Sequence, residues 1–325
     1  MIGVILLQLG TPEAPTPGAL RRYLRQFLSD RRVIDLPRAL WWPILYLIVL
    51  TTRPRQSARL YKKVWTEGGS PLLVITEAQA RALEQALTAA HNRPVRVVVG
   101  MRYGQPSIAR AVAELMRGGA DRILAFPMYP QYAGATTGSS LQQLFDDIKD
   151  LRVVPPVRVV PPYFDDPAYI AALADVTRES LDRLPAPPTH LLASFHGLPK
   201  RYALEGDPYP AQCEATTRAL EKALGRPPNS ISLVYQSRFG REEWLQPYTD
   251  KTLEALGPTG ARVAVLCPGF PADCLETLEE IAIRGEEQFH STGGHDYLAI
   301  PCLNEHPSWL AAMARIAGRE LDGWL

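Results

Sequence analysis

The chain has 325 residues, which at about 150 residues per domain predicts two domains. Hydrophobic residues make up 46% and charged residues 21% of it, an ordinary globular composition that excludes a disordered chain, a collagen-like repeat and a disulfide-dense miniprotein. The net charge is only +1, which disfavours a role in binding nucleic acid or another polyanion.

The chain opens on MIGVILLQLGTPEAP, whose apolar run predicts a buried first strand. No basic segment precedes that run, so the pattern does not fit a secretory signal peptide and a cytoplasmic protein is expected. The four cysteines, Cys213, Cys267, Cys274 and Cys302, are scattered along the chain and form no CxxC pair. We therefore expect free thiols rather than a disulfide framework.

A tryptophan-rich apolar run, LWWPILYLIVL, occupies residues 40–50 between two groups of arginines. It is shorter than the roughly 18 apolar residues that a spanning helix needs. Aromatic residues with basic flanks suit a surface that dips into an anionic lipid leaflet. A core helix under a cationic rim would give the same pattern, so both interpretations stay open at this stage.

The same order of apolar runs, loops and helical patterns occurs twice along the chain. The first copy passes from VRVVVG to Arg102 and Tyr103, then through a helical pattern over residues 107–116 to GADRILAF and the loop PMYP. The second copy passes from SISLVY to QSRFG, then through a helical pattern over residues 245–256 to GARVAVL and the loop PGFP. Short apolar runs that alternate with helical patterns predict βαβ units with right-handed crossovers. The sequence therefore predicts an α/β protein with two similar, doubly wound parallel-sheet domains.

The proline-rich stretch VPPVRVVPPYFDDP predicts the domain boundary, because stacked prolines exclude helix and stiffen a connection. We assign residues 1–155 to an N-terminal domain, with an apolar lip at residues 38–60. Residues 156–325 form a C-terminal domain, whose last helix is a candidate to pack back on the first domain. Ligands of such folds bind outside the carboxyl ends of the strands, so a central cleft between strand-end loops is expected.

A histidine follows the strand that opens the second copy. The segments LLQLGTP and SFHGLP correspond, with His196 in the place of Leu9. A neutral imidazole can accept a proton or bind a metal near pH 7. A single histidine is more often structural or on the surface, and only its place in the repeat favours a functional role.

Acidic residues follow the PGFP loop in the segment DCLETLEE. Asp273 and Glu276 have the spacing of a capping box, which predicts a helix that begins at Asp273. Glu276 and Glu280 then share a helix face, where like charges repel unless a cation is bound or passed along. The alternative is that acids in a first turn simply favour the helix dipole.

Several catalytic motifs are absent, including G-x-G-x-x-G, the phosphate loop, G-x-S-x-G and HExxH. Dinucleotide, nucleoside triphosphate and serine-hydrolase chemistry are therefore disfavoured. Aromatic residues in the strand-end loops, such as Trp244 and Phe270, indicate a flat apolar ligand held by stacking, although single aromatic residues are more often part of a core.

Motifs from both halves resemble the ferrochelatase family over nearly the whole chain: LLQLGTPEAP, WTEGGSPL, MRYGQP, PMYPQYAGATTGSS, SFHGLP, YQSRFG and PGFPADCLETLEE. The resemblance implies the chelatase fold, in which two similar Rossmann-like domains surround a central cleft. It also implies insertion of Fe²⁺ into protoporphyrin IX to give protoheme and two protons, the terminal step of heme biosynthesis. Fe²⁺ is a substrate of that reaction, and no cofactor is required.

The resemblance also implies roles for individual residues. His196 and Glu276 are the expected catalytic residues, and His196, Glu276 and Glu280 are the expected metal contacts. An acid found one turn further on in some relatives is Arg284 here. The expected porphyrin contacts are Arg102, Tyr103, Ser70, Trp244, Phe270 and Leu9, the last of which favours protoporphyrin over coproporphyrin.

An iron–sulfur cluster is not expected. Relatives with a [2Fe–2S] cluster use three cysteines in a C-terminal extension and one at the place that Gly134 occupies here. An internal cluster of the four cysteines stays open in principle, since four thiolates suffice, but their spacing matches no motif. The expected partners are protoporphyrin IX, Fe²⁺ and, transiently, the inner-membrane surface, because the family meets the membrane through the lip. The protein would then be cytoplasmic and peripheral on the cytoplasmic face.

Three rival functions are considered. A porphyrin or heme carrier without catalysis would need the apolar cleft but not the acidic pair. A chelatase for cobalt or nickel typically uses paired histidines, and only one histidine lies in a matching motif here. A membrane-surface scaffold would explain the tryptophan-rich run but not His196 and Glu276.

Overall fold

The computed structural model describes residues 1–91, 94–240 and 242–324, and the chain divides into two compact units. Unit 1 comprises Met1–Met128, Ala133–Pro161 and Ala314–Leu325, and unit 2 comprises Tyr129–Tyr132 and Pro162–Met313. The sequence predicts a boundary after residue 155. The long segment of unit 2 begins at Pro162, within the same proline-rich stretch. The last helix of the chain is divided, and its residues from Ala314 onward are assigned to unit 1.

Each unit contains a parallel sheet of four strands. In unit 1 these are β1 (Ile2–Thr11), β2 (Val95–Gly104), β3 (Arg122–Pro127) and β4 (Val157–Val159), in the order β2-β1-β3-β4. In unit 2 they are β5 (His190–His196), β6 (Ile231–Gln236), β7 (Arg262–Leu266) and β8 (Asp296–Ala299), in the order β6-β5-β7-β8. The two sheets have the same topology, so the predicted α/β fold with two similar parallel sheets is confirmed.

Helices connect the strands. They are α1 (Pro17–Leu28), α2 (Arg38–Pro43), a π-helix (Ile44–Val49), α3 (Leu50–Val64), α4 (Pro71–His91), α5 (Ile108–Arg117), a π-helix (Gly134–Gly138), α6 (Ser139–Ile148), α7 (Pro167–Leu181), α8 (Lys200–Leu204), α9 (Tyr209–Ala223), α10 (Thr249–Leu256), a 3₁₀ turn (Gly257–Thr259), a π-helix (Glu276–Gly285), α11 (Glu286–Ser291) and α12 (Pro307–Leu321).

The pairing register confirms how the two copies correspond. Gln8 pairs with Met101 in the sheet of unit 1, and Phe195 pairs with Tyr235 in the sheet of unit 2. The amides of Met101 and Tyr235 each donate to the carbonyl of a proline that follows in the chain, so the two pairs hold equivalent places. Leu9 in β1 is therefore the counterpart of His196 in β5, as the repeated motifs predict.

One predicted helix is shorter than expected. The sequence predicts helix over residues 245–256, but α10 begins only at Thr249. Pro247 disfavours helical backbone at the residue before it. The amide of Leu245 also donates instead to the carbonyl of Leu198, at 2.9 Å, so this stretch is part of a loop.

A glutamate on a neighbouring helix accepts a hydrogen bond from a backbone amide of each of the edge strands β2 and β6. Glu84 on α4 accepts a hydrogen bond of 2.8 Å from the amide of Val97 on β2. Glu221 on α9 accepts one of 2.9 Å from the amide of Ile231 on β6. Because unpaired edge amides invite pairing with another chain, the same device protects both sheets.

The predicted lip, residues 38–60, is helical and exposes apolar side chains. Leu47 is 73% exposed, Leu40 64% and Ile48 59%, whereas Trp41 and Leu45 are buried against unit 1. The interpretation as a core helix therefore fails for the outer face of this segment, because its apolar side chains are in contact with solvent. None of the helices in the described part of the chain has the length and apolar composition needed to cross a membrane.

Candidate active site

His196 is the last residue of β5, at the carboxyl end of the sheet of unit 2. Its Nδ1 lies 2.7 Å from the carbonyl oxygen of Gly197. A carbonyl oxygen can only accept, so Nδ1 carries the proton of the neutral ring and Nε2 holds the lone pair. The strand end thus presents an imidazole whose Nε2 is ready to accept a proton or bind a metal.

The turn after His196 requires a glycine. A Cβ at position 197 would lie 2.9 Å from the carbonyl oxygen of Gln236 and 3.1 Å from a ring carbon of Trp244. Trp244 is buried on this turn and packs edge-on against Phe239, with ring centroids 4.8 Å apart. The predicted porphyrin contact at Trp244 therefore lies beside the predicted catalytic histidine.

The acidic segment forms a π-helix, Glu276–Gly285. This geometry, with hydrogen bonds from residue i to i+5, is rare and occurs frequently at functional sites. The predicted capping box is wrong: helical structure begins at Leu275, and Asp273 accepts a hydrogen bond of 2.7 Å from the hydroxyl of Thr277 instead of one from a backbone amide. The amide of Cys274 in turn donates to that hydroxyl, at 3.0 Å, so a side-chain hydroxyl organises the start of the helix.

Glu280 is held by a single residue of the β6 loop. Its Oε1 accepts a hydrogen bond of 2.8 Å from the amide of Ser237, and its Oε2 accepts one from the hydroxyl of the same residue. Ser237 has φ +66°, a left-handed conformation that is uncommon for a residue with a side chain. Such conformations cluster at functional sites, where the surrounding structure stabilises them.

The electrostatic environment of Glu280 suits proton transfer. Burial raises its pKa, while the hydrogen bond from Ser237, the positive charge of Arg284 and, once the imidazole has taken up a proton, the charge of His196 act in the opposite direction. A carboxyl group whose pKa is raised from its usual acidic value can exchange protons more readily near neutral pH. His196 pairs with Gln236 in the sheet, and the next residue, Ser237, binds Glu280, so the histidine and this acid belong to the same group of strand-end residues.

Glu276 is fixed through its backbone. Its carbonyl accepts a hydrogen bond of 3.1 Å from the side-chain amide of Gln236, which is buried at the end of β6. The amide oxygen of Gln236 accepts in turn from Ser194, at 2.6 Å. The Glu276 carboxyl lies beside Cys274, where burial and the charge of Glu276 raise the pKa of the thiol. Gln236 and Ser237, which the sequence does not single out as functional, therefore position the two predicted acids.

A third acid of the π-helix, Glu279, is paired with Arg284. Glu279 is 2% exposed, and its Oε2 lies 3.4 Å from Nη2 of Arg284. The same guanidinium lies 3.9 Å from Oε2 of Glu280. Arg284 thus supplies positive charge to two carboxylates at the outer part of the π-helix.

In unit 1, Arg102 and Tyr103 lie near the carboxyl end of β2 and share one partner, Asp30. Its Oδ2 accepts from Arg102 Nη2 at 2.6 Å and from the Tyr103 hydroxyl at 2.8 Å. Arg102 Nε also donates to the hydroxyl of Ser139, at 2.7 Å. Tyr103 is fully buried. No motif in the sequence points to Asp30, because its partners are far from it along the chain.

The remaining predicted porphyrin contacts have different settings. Ser70 is buried and its hydroxyl accepts a hydrogen bond of 2.7 Å from Thr11. Leu9 is partly exposed near the end of β1. Phe270 is partly buried and packs on the core of unit 2. Of these three side chains, Leu9 and Phe270 retain accessible surface for a ligand, whereas the Ser70 hydroxyl is already engaged within unit 1.

Comparisons with known proteins show the family of the chain. The family model described as ferrochelatase matches residues 1–321. The chain belongs to the ferrochelatase family. It is 50% identical to the ferrochelatase of Thioalkalivibrio sulfidiphilus over 100% of this chain and 88% of that protein. It is 49% identical to the ferrochelatases of Rhizobium meliloti, over 100% of this chain and 96% of that protein, and of Chromobacterium violaceum, over 99% and 88%.

Solved structures show the same fold at low sequence identity. SirB from Bacillus subtilis with Fe³⁺ matches with a TM-score of 0.56 and 13% identity over 78% of this chain and 92% of SirB. CbiX, described as the terminal enzyme of siroheme biosynthesis in denitrifying bacteria, matches with a TM-score of 0.51 and 14% identity over 98% of each chain. The chain thus shares its fold with these proteins. Its membership of the ferrochelatase family and its full-length similarity to curated ferrochelatases show that it is a metal chelatase.

Proposed function

We propose that this chain inserts Fe²⁺ into protoporphyrin IX in heme synthesis. The observation that carries the proposal is the group at the carboxyl end of the sheet of unit 2. His196, whose Nε2 carries the lone pair, pairs with Gln236, and Gln236 and Ser237 hold Glu276 and Glu280 on the π-helix. Membership of the ferrochelatase family supports the choice of metal and tetrapyrrole.

The reaction needs a base at this place. Two pyrrole N–H protons leave as one Fe²⁺ binds to the four ring nitrogens, so charge balances when both protons reach solvent. We assign acceptance of a pyrrole proton to Nε2 of His196, with Glu276 and Glu280 passing protons outward and contacting the incoming cation. A cleft that binds the macrocycle in a distorted shape would expose the nitrogen lone pairs and use binding energy to approach the transition state.

Porphyrin binding is assigned to apolar and aromatic side chains. Trp244 supports this assignment because it packs on Gly197, directly after His196. Leu9, the counterpart of His196 in unit 1, would offer an apolar contact that tolerates the vinyl groups of protoporphyrin. Phe270 and Arg102 complete the proposed set, with the guanidinium able to meet a carboxylate.

The test is anaerobic incubation of the purified protein with Fe²⁺ and protoporphyrin IX, followed by loss of porphyrin fluorescence and growth of heme absorbance. We expect His196→Ala to lower turnover by at least about 100-fold, with porphyrin binding retained. His190→Ala is a matched control, because His190 begins the strand that His196 ends. Porphyrin binding without turnover for Fe²⁺, Co²⁺, Ni²⁺ or Zn²⁺ would favour a carrier, and turnover unaffected by His196→Ala would refute the assigned base.

We also propose that the protein is cytoplasmic and that its lip contacts an anionic membrane surface. The exposed apolar side chains of residues 40–48 adjoin α3, whose exposed face carries the basic residues Arg53, Arg55, Arg59, Lys62 and Lys63. Apolar insertion and attraction to anionic headgroups act together at such surfaces. Both features lie on one continuous stretch of helix.

Vesicle flotation tests this contact. With phosphatidylglycerol in the vesicles, we expect binding that weakens as salt is added, since exposed charges are screened. Leu47→Ser should weaken binding to every vesicle, and Arg55→Gln with Arg59→Gln should weaken it only for anionic ones. Leu204→Ser is a matched control, because Leu204 is 80% exposed in unit 2. Equal flotation of wild type and Leu47→Ser would contradict the proposal.

A further inference from the structure

Asp30 lies in the turn between α1 and the lip and is saturated with hydrogen bonds. Its Oδ2 accepts from Arg102 Nη2 at 2.6 Å, from the Tyr103 hydroxyl at 2.8 Å and from the Ser139 hydroxyl at 2.5 Å. Its Oδ1 accepts from the amide of Arg32 at 2.7 Å. One carboxylate therefore joins this turn to the end of β2 and the start of α6.

The same turn holds the beginning of the lip. Arg38 Nη2 donates to the carbonyl of Ser29 at 2.6 Å, and the indole N–H of Trp41 donates to the carbonyl of Leu28 at 2.7 Å. Both donors belong to α2, and both acceptors flank the turn that contains Asp30. The position of the lip on unit 1 therefore depends on where this turn is held.

The partners of Asp30 are themselves held firmly in unit 1. Tyr103 is fully buried, and the ring of Phe27 packs on it edge-on at 5.0 Å between centroids. Arg102 Nε bonds to both oxygens of Ser139, at 2.7 and 3.2 Å, while its Nη2 bonds to Asp30. These bonds direct Nε and Nη2 of Arg102 and the hydroxyl of Tyr103 toward groups of unit 1. A guanidinium that is also fixed by Ser139, and a buried phenol, are strong, well-oriented donors to a carboxylate.

The carboxylate stays charged in this setting. Burial alone would raise the pKa of Asp30, but the hydrogen bonds from Ser139, Arg32 and Tyr103 and the charge of Arg102 together lower it below the usual range. A charged acceptor forms stronger hydrogen bonds than a neutral one, so these bonds should persist to lower pH than those of an ordinary aspartate.

We propose that Asp30 is the positioning residue of the apolar lip: through Arg102, Tyr103 and Ser139 its carboxylate ties the base of the lip to the framework of unit 1. Asp30 is not a catalytic residue, because it acts through the placement of residues 38–60. Its effect on porphyrin handling rests on the proposed function, whereas its effect on the lip does not.

The decisive variant is Asp30→Asn. The amide keeps the size of the side chain but turns one acceptor oxygen into a donor, which faces other donors in this network. We expect hydrogen exchange of the amides in residues 38–60 to speed up by about 10-fold or more, while β1 and β3 keep their protection. In the chelation assay, KM for porphyrin should rise by roughly 5-fold or more while kcat stays within about 2-fold.

Two further variants make the test robust. Ser139→Ala removes one of the donors and should change lip exchange in the same direction but less. Asp146→Asn is the matched control, because Asp146 is an exposed acid of unit 1 whose partner is Lys149, at 2.9 Å. We expect this control to leave both lip exchange and KM unchanged.

Hydrogen exchange is measured without substrate. It therefore tests the role of Asp30 in the lip even if the proposed chelation reaction is wrong. Unchanged exchange of residues 38–60 in Asp30→Asn would overturn the proposal. Faster exchange throughout unit 1, including β1 and β3, would also overturn it, because Asp30 would then be a general stabiliser. A loss of kcat with KM unchanged would assign the network to the chemical step instead. If Asp30→Asn does not fold, graded lip exchange in Ser139→Ala and Arg102→Gln decides the question in the same way.

Discussion

At the scale of single residues, the carboxyl ends of β2 in unit 1 and of β6 in unit 2 both hold acidic residues in place. Because Met101 and Tyr235 are equivalent, Arg102 and Tyr103 in unit 1 correspond to Gln236 and Ser237 in unit 2. The first pair holds a carboxylate of the turn before the lip. The second pair holds the backbone of Glu276 and the carboxylate of Glu280. One topological position therefore supports an anchor in one sheet and a reactive group in the other.

Arg284 gives a prediction about pH dependence. Its charge opposes the effect of burial on Glu280. In Arg284→Gln this opposition is lost, so the pKa of Glu280 rises further. Glu280 must be deprotonated to accept a proton, and the acidic limb of the kcat/KM profile is therefore expected to move to higher pH. The plateau on the alkaline side should stay within about 2-fold of wild type, as a pH series of the chelation assay would show.

The control for this prediction is Arg284→Lys, which keeps the charge and should restore the wild-type limb. Because Arg284 is 54% exposed, the shift should also shrink as salt increases. An Arg284→Gln profile that superimposes on wild type would show that this guanidinium does not set the protonation of Glu280. A uniform loss of activity at all pH values would indicate a structural role through Glu279.

At the scale of elements, the C-terminal helix is tied to the edge strand β4. Arg158 Nη1 donates to the carbonyls of Glu320 and Asp322, each at 2.8 Å, and its guanidinium lies 4.4 Å from the centroid of the Trp324 ring. A cation that caps the end of a helix also interacts favourably with the helix dipole. β4 has only three residues, and these contacts join its middle residue to the end of the C-terminal helix in addition to its pairing with β3.

We predict that Arg158→Ala destabilises the protein by about 1.5–3 kcal/mol, since it removes two charge-assisted hydrogen bonds and a cation–π contact. Chemical denaturation measures the loss. Arg152→Ala, an exposed arginine in the loop before β4, should change the free energy of unfolding by less than about 0.5 kcal/mol. Equal stabilities for the two variants would mean that the C-terminal contacts with Arg158 contribute little.

At the scale of the whole molecule, the setting of the four cysteines supports a prediction about iron–sulfur clusters. All four are buried free thiols of unit 2. Burial raises the pKa of each one well above the usual range, which disfavours the thiolate that a cluster requires. Within residues 1–91, 94–240 and 242–324, no three or more His, Cys, Asp or Glu side chains are grouped so as to hold a metal ion, and this applies to His196, Glu276 and Glu280 as well as to the cysteines. The proposed contacts of the incoming cation are therefore not a preformed three-ligand site.

We therefore predict that protein purified without oxygen contains no acid-labile sulfide and shows no visible absorbance of an iron–sulfur cluster. Cys213→Ala and Cys302→Ala should each keep at least about half of the wild-type chelation rate. Cys274→Ala is the informative comparison, because this thiol lies beside Glu276. Stoichiometric sulfide, or a colour lost in any one of these variants, would contradict the prediction.

The amino-acid sequence by itself determined the α/β class, the two parallel sheets, the correspondence of Leu9 with His196 and, through its motifs, the ferrochelatase family. The fold class follows from hydrophobic periodicity, because the backbone geometry of strands and helices sets the spacing of the side chains on one face. The correspondence of the two halves and the family follow from short sequence motifs. The start of α10 and the predicted capping box were wrong, because a proline and a side-chain hydroxyl changed the local hydrogen bonding.

Only the tertiary structure decided how the site is held. The hydrogen bond between Arg102 and Asp30 joins residues 72 positions apart, and the one between Gln236 and Glu276 joins residues 40 positions apart. The left-handed backbone of Ser237, the π-helix and the exposure of the lip likewise depend on neighbours that are distant in the chain. A buried polar group is stable only where folding brings its partner within hydrogen-bond distance, and no local pattern in the sequence encodes that distance.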